Sequence, residues 1–278
     1  MDFTAFSAGG DLGTLALGLV IAGVVSGLVA GMLGVGGGIV IVPVMYHVLA
    51  VMHVPEDLRM HVAVGTSLAT IIPTSISSLR AHNKKGVVDW QLLKRWVWPM
   101  LVGVLAGSVL AGVARGQTLA LIFGLVALPV AAQLAFAKET WRLADKLPGG
   151  VGGVLLPFGI SSVSTMMGIG GGTVGVPAMT LCGMPIHRAV GTASAFGAII
   201  SVPGAIGAVI AGWGVAGLPP YSLGYANLLG FLLIAPVAFF TAPAGAAIAH
   251  MADKNRLRKL FALFVAVTAA KMLWDVLA

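Results

Sequence analysis

From Leu12 to Leu33 the chain carries no charged side chain, and apolar runs of this kind return along its whole length. A helix needs about 20 mostly apolar residues to cross the hydrocarbon core of a bilayer. Runs that meet this requirement lie near 12–33, 62–80, 91–114, 117–137, 150–167, 187–212, 222–249 and 257–277. Two shorter apolar stretches, 38–52 and 172–184, each follow a glycine cluster and read as half-helices, re-entrant segments or short spans. Only 9% of the 278 residues are charged and the mean hydropathy is +1.01, against about 25% charged residues in a soluble domain. Such an exterior must face lipid, where only helices and closed barrels satisfy every backbone polar group. Barrel strands alternate in polarity over about 10 residues, and these runs do not. The fold expected is an all-α integral membrane protein, a polytopic bundle of about 8 to 10 transmembrane segments in one membrane domain spanning 1–278.

Charge placement orients the bundle. The net charge of +7 would suggest nucleic acid in a soluble protein, but cytoplasmic loops of membrane proteins are enriched in Lys and Arg. Arg80, Lys84, Lys85, Lys94 and Arg95 flank one loop, Lys138, Arg142 and Lys146 a second, and Lys254, Arg256, Arg258 and Lys259 a third. With the amino terminus outside and both short helices counted as crossings, these loops and Arg188 share the cytoplasmic side of a cytoplasmic (inner) membrane. Asp2 and Asp11, with no Lys or Arg beside them, argue against a cleaved signal peptide. The single Cys182 excludes an intrachain disulfide and a CxxC motif. Trp90, Trp96, Trp98, Trp141, Trp213 and Trp274 all sit near expected helix ends, where tryptophan anchors the membrane interface.

An internal repeat organises the chain. GVGGGIVIVP at 34–43 matches GIGGGTVGVP at 168–177 in seven of ten positions, and VGTSLA at 64–69 returns as VGTASA at 190–195. Five segments per half, an odd number, place the second copy upside down, the inverted-repeat architecture of many secondary transporters. The halves are assigned near 12–114 and 149–278, with a linking helix and cytoplasmic loop near 115–148.

Glycine costs a helix interior about 1 kcal/mol against alanine, so Gly36, Gly37 and Gly38, like Gly170, Gly171 and Gly172, should break their helices. A break at membrane depth survives only against protein or a wet cavity. The helix that begins after it points unpaired amides and a positive dipole end into the gap, which suits an anion. Glycines also serve simply as small packing residues, but the triple run, the following Pro43 and Pro177 and the duplication favour a substrate-lining role. The candidate site is Gly34, Gly36, Gly37, Gly38, Thr66 and Ser67 with Gly168, Gly170, Gly171, Gly172, Thr173, Thr192 and Ser194. Thr66 and Ser67, paired in the repeat with Thr192 and Ser194, offer hydroxyl donors, although such groups commonly bond backbone carbonyls instead. Thr173 stands at an N-cap-like position where the first half has Ile39. Arg80 and His82 are candidates for gating or for attracting an anion at the cytoplasmic end. All nine acidic residues fall in loops or near the ends of the expected spans, which disfavours a cation as substrate and a carboxylate proton relay.

These residues resemble the sulfite exporter TauE/SafE family of bacterial and archaeal permeases. The likeness rests on GMLGVGGGIVIVP, the VGTSLA helix ending in SLRAHNKKGVVDW, and the pair GIGGGTVGVP and HRAVGTASA, and it covers nearly the whole chain. It implies export of sulfite or a related sulfur-containing or organic anion through glycine-lined segments. A secondary transporter with saturable flux, a proton or sodium ion as candidate coupling ion, is thereby set against an anion channel or an importer of another small oxyanion or carboxylate. No HExxH, no membrane-depth Asp pair and no Ser–His dyad suggests an enzyme, and no cofactor, metal site or nucleic-acid partner is expected.

Overall fold

The computed structural model describes residues 9–34, 36–136, 142–251 and 254–277. Asp2, Lys138, Glu139, Trp141 and Asp253 lie outside the described residues. Among these residues ten helices follow one another: α1 (Gly9–Leu33), α2 (Gly38–Val51), α3 (Glu56–Lys84), α4 (Trp90–Val113), α5 (Gly116–Phe136), α6 (Gly152–Met166), α7 (Gly172–Leu181), α8 (Ile186–Ala211), α9 (Leu228–Met251) and α10 (Lys254–Leu277). The expected all-α membrane fold is what the structure shows: five helices, α3, α4, α5, α8 and α9, are long and apolar enough to cross a bilayer. A two-stranded hairpin, β1 (Ser222–Leu223) and β2 (Ala226–Asn227), precedes α9, so the apolar run read from 222 becomes helix only at Leu228. The outward faces stay apolar: Leu17 and Ile21 of α1, Leu105 and Val109 of α4, and Phe240 of α9 are all exposed.

Packing repeats between the halves. The first helix, α1, packs along α9, and its counterpart α6 packs along α4. The pair α3 and α9 is matched by α8 and α4, while α3 meets α8 and α5 meets α10 across the middle. The helix starts repeat as well. Asp89 caps α4 with its Oδ1, which accepts from Leu92 N at 3.0 Å, and Asn227 Oδ1 accepts from Gly230 N at 2.9 Å at the start of α9. An Asx side chain that takes an otherwise orphaned first-turn amide fixes where a helix begins. Each of these capping residues is in turn held by a threonine of the VGT segments: Thr66 Oγ1 accepts from Asn227 N at 2.9 Å and Thr192 Oγ1 from Asp89 N at 3.0 Å.

Basic residues gather at one end of the bundle. There Arg188 bridges Asp89 at 2.8 Å, Lys85 Nζ donates to Ala246 O near the end of α9 at 3.0 Å, and the 142–146 loop bonds Leu181 at the end of α7. At the opposite end Gln117 reaches Glu56 at 3.5 Å.

The tryptophans divide. Trp90, Trp98, Trp213 and Trp274 are exposed, as membrane anchors should be, but Trp96 is only 3% exposed. Its ring stacks on Phe196 of α8 at 5.7 Å. Two residues along a helix turn by about 200°, so Trp98 points outward while Trp96 enters the core, correcting its assignment as an anchor.

Candidate substrate site

The helices break at the glycine clusters. Gly37 and Gly171 are the N-cap residues of α2 and α7 and hold the same left-handed backbone, φ 77° and 74°. L-residues other than glycine adopt this conformation at a cost of about 1–2 kcal/mol. After each turn a short helix starts, α2 of 14 residues and α7 of 10. At about 1.5 Å per residue these are about 21 and 15 Å long, less than the hydrocarbon core.

The turns sit at mid-depth. A methyl group placed on Gly36 would lie 3.1 Å from Ile71 Cγ2, and one on Gly171 would strike Ile200 Cδ1. Ile71 and Ile200 stand close to the middles of α3 and α8, so each break lies roughly 20 Å from either end of the long helix beside it.

They also meet. A methyl on Gly36 would lie 3.2 Å from Gly170 Cα, and one on Gly38 would lie 2.9 Å from Ile169 Cα and closer still to the Gly168 carbonyl. The contact is reciprocal: Gly34 abuts the carbonyl of Val190, and a methyl on Gly168 would come within 2.7 Å of Val64 Cα. Each glycine turn thus presses on the VGT segment of the other half. Ser67 Oγ donates to Gly168 O at 2.6 Å across this boundary, and Ser26 Oγ donates to Gly37 O at 3.2 Å within the first half. All of these residues are buried.

The first amides of α2 and α7 have no acceptor within their own helices. Gly37 O takes the amides of Val40 and Ile41, and Gly171 O takes that of Gly175, which leaves Gly38 and Ile39, and Gly172, Thr173 and Val174, without an acceptor among the described residues. Two helix starts with unpaired N–H groups therefore point into one central contact, a positive potential in a dry environment.

The residues expected from sequence fall into two groups. Gly34, Gly36, Gly37, Gly38, Ser67, Gly168, Gly170, Gly171, Gly172 and Thr173 converge on the centre. Thr66 and Thr192 instead hold the starts of α9 and α4. Ser194 donates to Gly191 O on its own helix at 2.6 Å, so it is not the equivalent of Ser67, whose place in the motif is taken by Ala193. Thr173 is the second residue of α7 rather than its cap, and its buried hydroxyl has no hydrogen-bond partner among the described residues. Arg80 is exposed near the end of α3, while His82, 4% exposed, places Nε2 3.0 Å from Gly31 O and ties α3 to α1.

A cavity of about 20 Å³, room for one water, lies between His61, Val64, Leu68, Ser108, Thr165 and Tyr225. His61 sets Nδ1 2.9 Å from Asp57 O and Nε2 3.1 Å from Ala114 O. No group of three or more His, Cys, Asp or Glu side chains suited to a metal occurs among the described residues.

Sequence reasoning missed Ser26, Asp89 and Asn227. The matched Asx residues just before two helices were a readable signal. Nothing in the sequence marked Ser26, because its bond depends on how the glycine turn folds back on α1.

Comparison with known proteins finds membrane transporters. The family model described as Sulfite exporter TauE/SafE matches residues 19–272. A probable membrane transporter protein of Haemophilus influenzae is 34% identical over 257 residues, 91% of this chain and 96% of that protein. A probable membrane transporter protein of Bacillus subtilis is 25% identical, covering 92% of this chain and 97% of the relative. One of Methanocaldococcus jannaschii is 24% identical, with coverage of 92% and 94%. No solved structure matches the chain.

Proposed function

This chain belongs to the sulfite exporter TauE/SafE family and is a membrane transporter rather than an enzyme; from that premise we propose that it exports sulfite or a related small sulfur-containing or organic anion by alternating access. The observation that carries the proposal is the meeting of the two glycine turns, each followed by a helix start with unpaired amides, at mid-depth between α3 and α8. Amide-rich helix starts favour an anion without burying a lysine or arginine. No ionisable side chain occurs among the described residues of the turns, 34, 36–38 and 168–172, so the anion leaves no charged group of the turns unpaired when it departs.

The halves supply the moving parts. Leu33 ends α1 near the last turns of α3, where Ser78 donates to Ala30 O and His82 meets Gly31 O. The counterpart α6 leads instead into Gly168 beside Val64, in the first half of α3. Opposite directions for equivalent helices support two inverted repeats rocking about the central contact; α5, read from the sequence as a linking helix, is taken here into the first, so that each holds five helices, α1–α5 and α6–α10. The basic end is assigned to the cytoplasm and the amino terminus to the outside of an inner membrane.

The test is efflux of sulfite from loaded proteoliposomes. Native protein is expected to give saturable flux, and Gly37→Leu and Gly171→Leu to abolish it while still eluting as monodisperse protein. Linear, unsaturated flux would replace the transporter with a channel. Absence of flux for sulfite, methanesulfonate and acetate alike would overturn the proposal. Collapsing a proton or a sodium gradient in the same vesicles identifies the coupling ion.

A further inference from the structure

Four buried side-chain hydroxyls have no hydrogen-bond partner among the described residues: Ser108, Ser164, Thr173 and Ser201. Ser108 faces the small cavity. The other three all belong to the second half, one each on α6, α7 and α8, and are 0%, 2% and 0% exposed. Buried hydroxyls are nearly always bonded, so three without partners in one region ask for a partner from outside the chain.

They share one level of the bundle. A methyl on Gly175 would touch Phe196 at 3.0 Å and Ile160 at 3.7 Å, which places α7 between α6 and α8. One turn toward the start of α7, Gly171 meets Ile200, one turn beyond Phe196. The same step on α6 leads from Ile160 to Ser164, and Ser201 adjoins Ile200. Thr173 sits in the first turn of α7, and because helical Cα–Cβ bonds tilt toward the N-terminus, its hydroxyl points toward the unpaired amides.

The first half has no such set. Its motif places Ile39 where the second half has Thr173 and Ala30 where it has Ser164. Ser75 takes the place of Ser201, but its hydroxyl donates to Ile72 O at 3.1 Å.

Resting on the transport reading above, we infer that the second half alone holds the anion's oxygens, through the hydroxyls of Ser164, Thr173 and Ser201 and the unpaired amides at the start of α7, while the first half supplies an apolar wall. Three hydroxyls around one helix start suit an anion with three oxygens on one centre, such as sulfite or a sulfonate, better than the two-oxygen head of a carboxylate.

The experiment measures half-saturating concentrations for efflux of sulfite, methanesulfonate and acetate, with melting midpoints, for native protein and for Ser164→Ala, Thr173→Val, Ser201→Ala and Ser75→Ala. Each of the first three is expected to raise the half-saturating concentration for sulfite and methanesulfonate by about tenfold or more, the scale of a hydrogen bond to a charged group. Acetate should change less, and melting midpoints should hold or rise, because an unbonded buried hydroxyl is removed. Ser75→Ala is expected to behave as native. Saturable native flux that stops in Gly171→Leu, with half-saturation unmoved in the three hydroxyl variants, would overturn this inference and leave the transport reading standing. An equal effect of Ser75→Ala, an equal effect on acetate, or a fall in melting midpoint with half-saturation unchanged would overturn it too. No saturable flux in native protein would remove the transport reading and this inference together.

Discussion

Gly38→Ala puts the contact between the two turns to the sharpest test. Gly38 begins α2 with no left-handed backbone to disturb, so an added methyl acts by volume alone. It would stand 2.8 Å from Ile71 Cδ1, 2.9 Å from Ile169 Cα and closer to the Gly168 carbonyl. The isoleucine tip can swing aside, but Ile169 Cα and the Gly168 carbonyl are backbone. Ordinary carbon contacts begin near 3.5 Å, so the opposing turn must retreat by about half an ångström or more. Retreat stretches the 2.6 Å bond from Ser67 Oγ to Gly168 O. Overpacking of this kind costs about 1–3 kcal/mol, and weakening the buried bond adds to it. The control is Gly159→Ala on α6, where an added methyl meets nothing within 4 Å; there alanine should be neutral or stabilising by up to about 1 kcal/mol. Thermal unfolding of the two variants in one detergent, followed by sulfite efflux, reads the difference. Equal melting midpoints and equal flux for Gly38→Ala and Gly159→Ala would refute the claim that the turns touch.

Ser67→Ala should destabilise by about 1–3 kcal/mol, the cost of stranding the buried Gly168 carbonyl, whereas Ser194→Ala should cost less, since its bond stays within one helix; paired melting curves check both. Trp96→Ala is expected to lose about 3–5 kcal/mol of packing, and Trp98→Ala, at a residue 73% exposed, well under 1 kcal/mol, as read by thermal unfolding in detergent. Asp89→Asn keeps an oxygen to cap α4 and loses only the ion pair with an Arg188 side chain that is 55% exposed, so the change should be about 0–1 kcal/mol. Asp89→Ala also loses the cap and should cost about 1 kcal/mol more, separating the two contributions in the same assay.

Much of this architecture was legible because its strongest signals are covalent facts of the chain. Uninterrupted apolar stretches located the helices, and the repeated GGG marked both breaks, since few residues other than glycine take φ near 75° cheaply. What the sequence hid was partner choice. Thr66 and Ser67 are neighbours in one motif, yet one holds the start of α9 and the other crosses to Gly168; 100° of helical rotation separates them, and only the packed bundle says which faces the centre. Ser194 was misaligned with Ser67 for the same reason, a hydroxyl one position along a helix facing another way. Trp96 and Trp98 show the limit of placing aromatics by nearness to a helix end.

The reciprocal pressing of Gly34 on Val190 and of Gly168 on Val64 bears on how the molecule is made. A ribosome delivers the first five helices before their counterparts exist, so the earlier glycine bend enters the bilayer with its lean-to missing. Its exposed peptide groups must be shielded by an insertion chaperone or by water until translation supplies the remainder. A nascent chain halted after Phe136 should accordingly be a preferred target of membrane quality-control proteases, and supplying the later half as a separate polypeptide should rescue it.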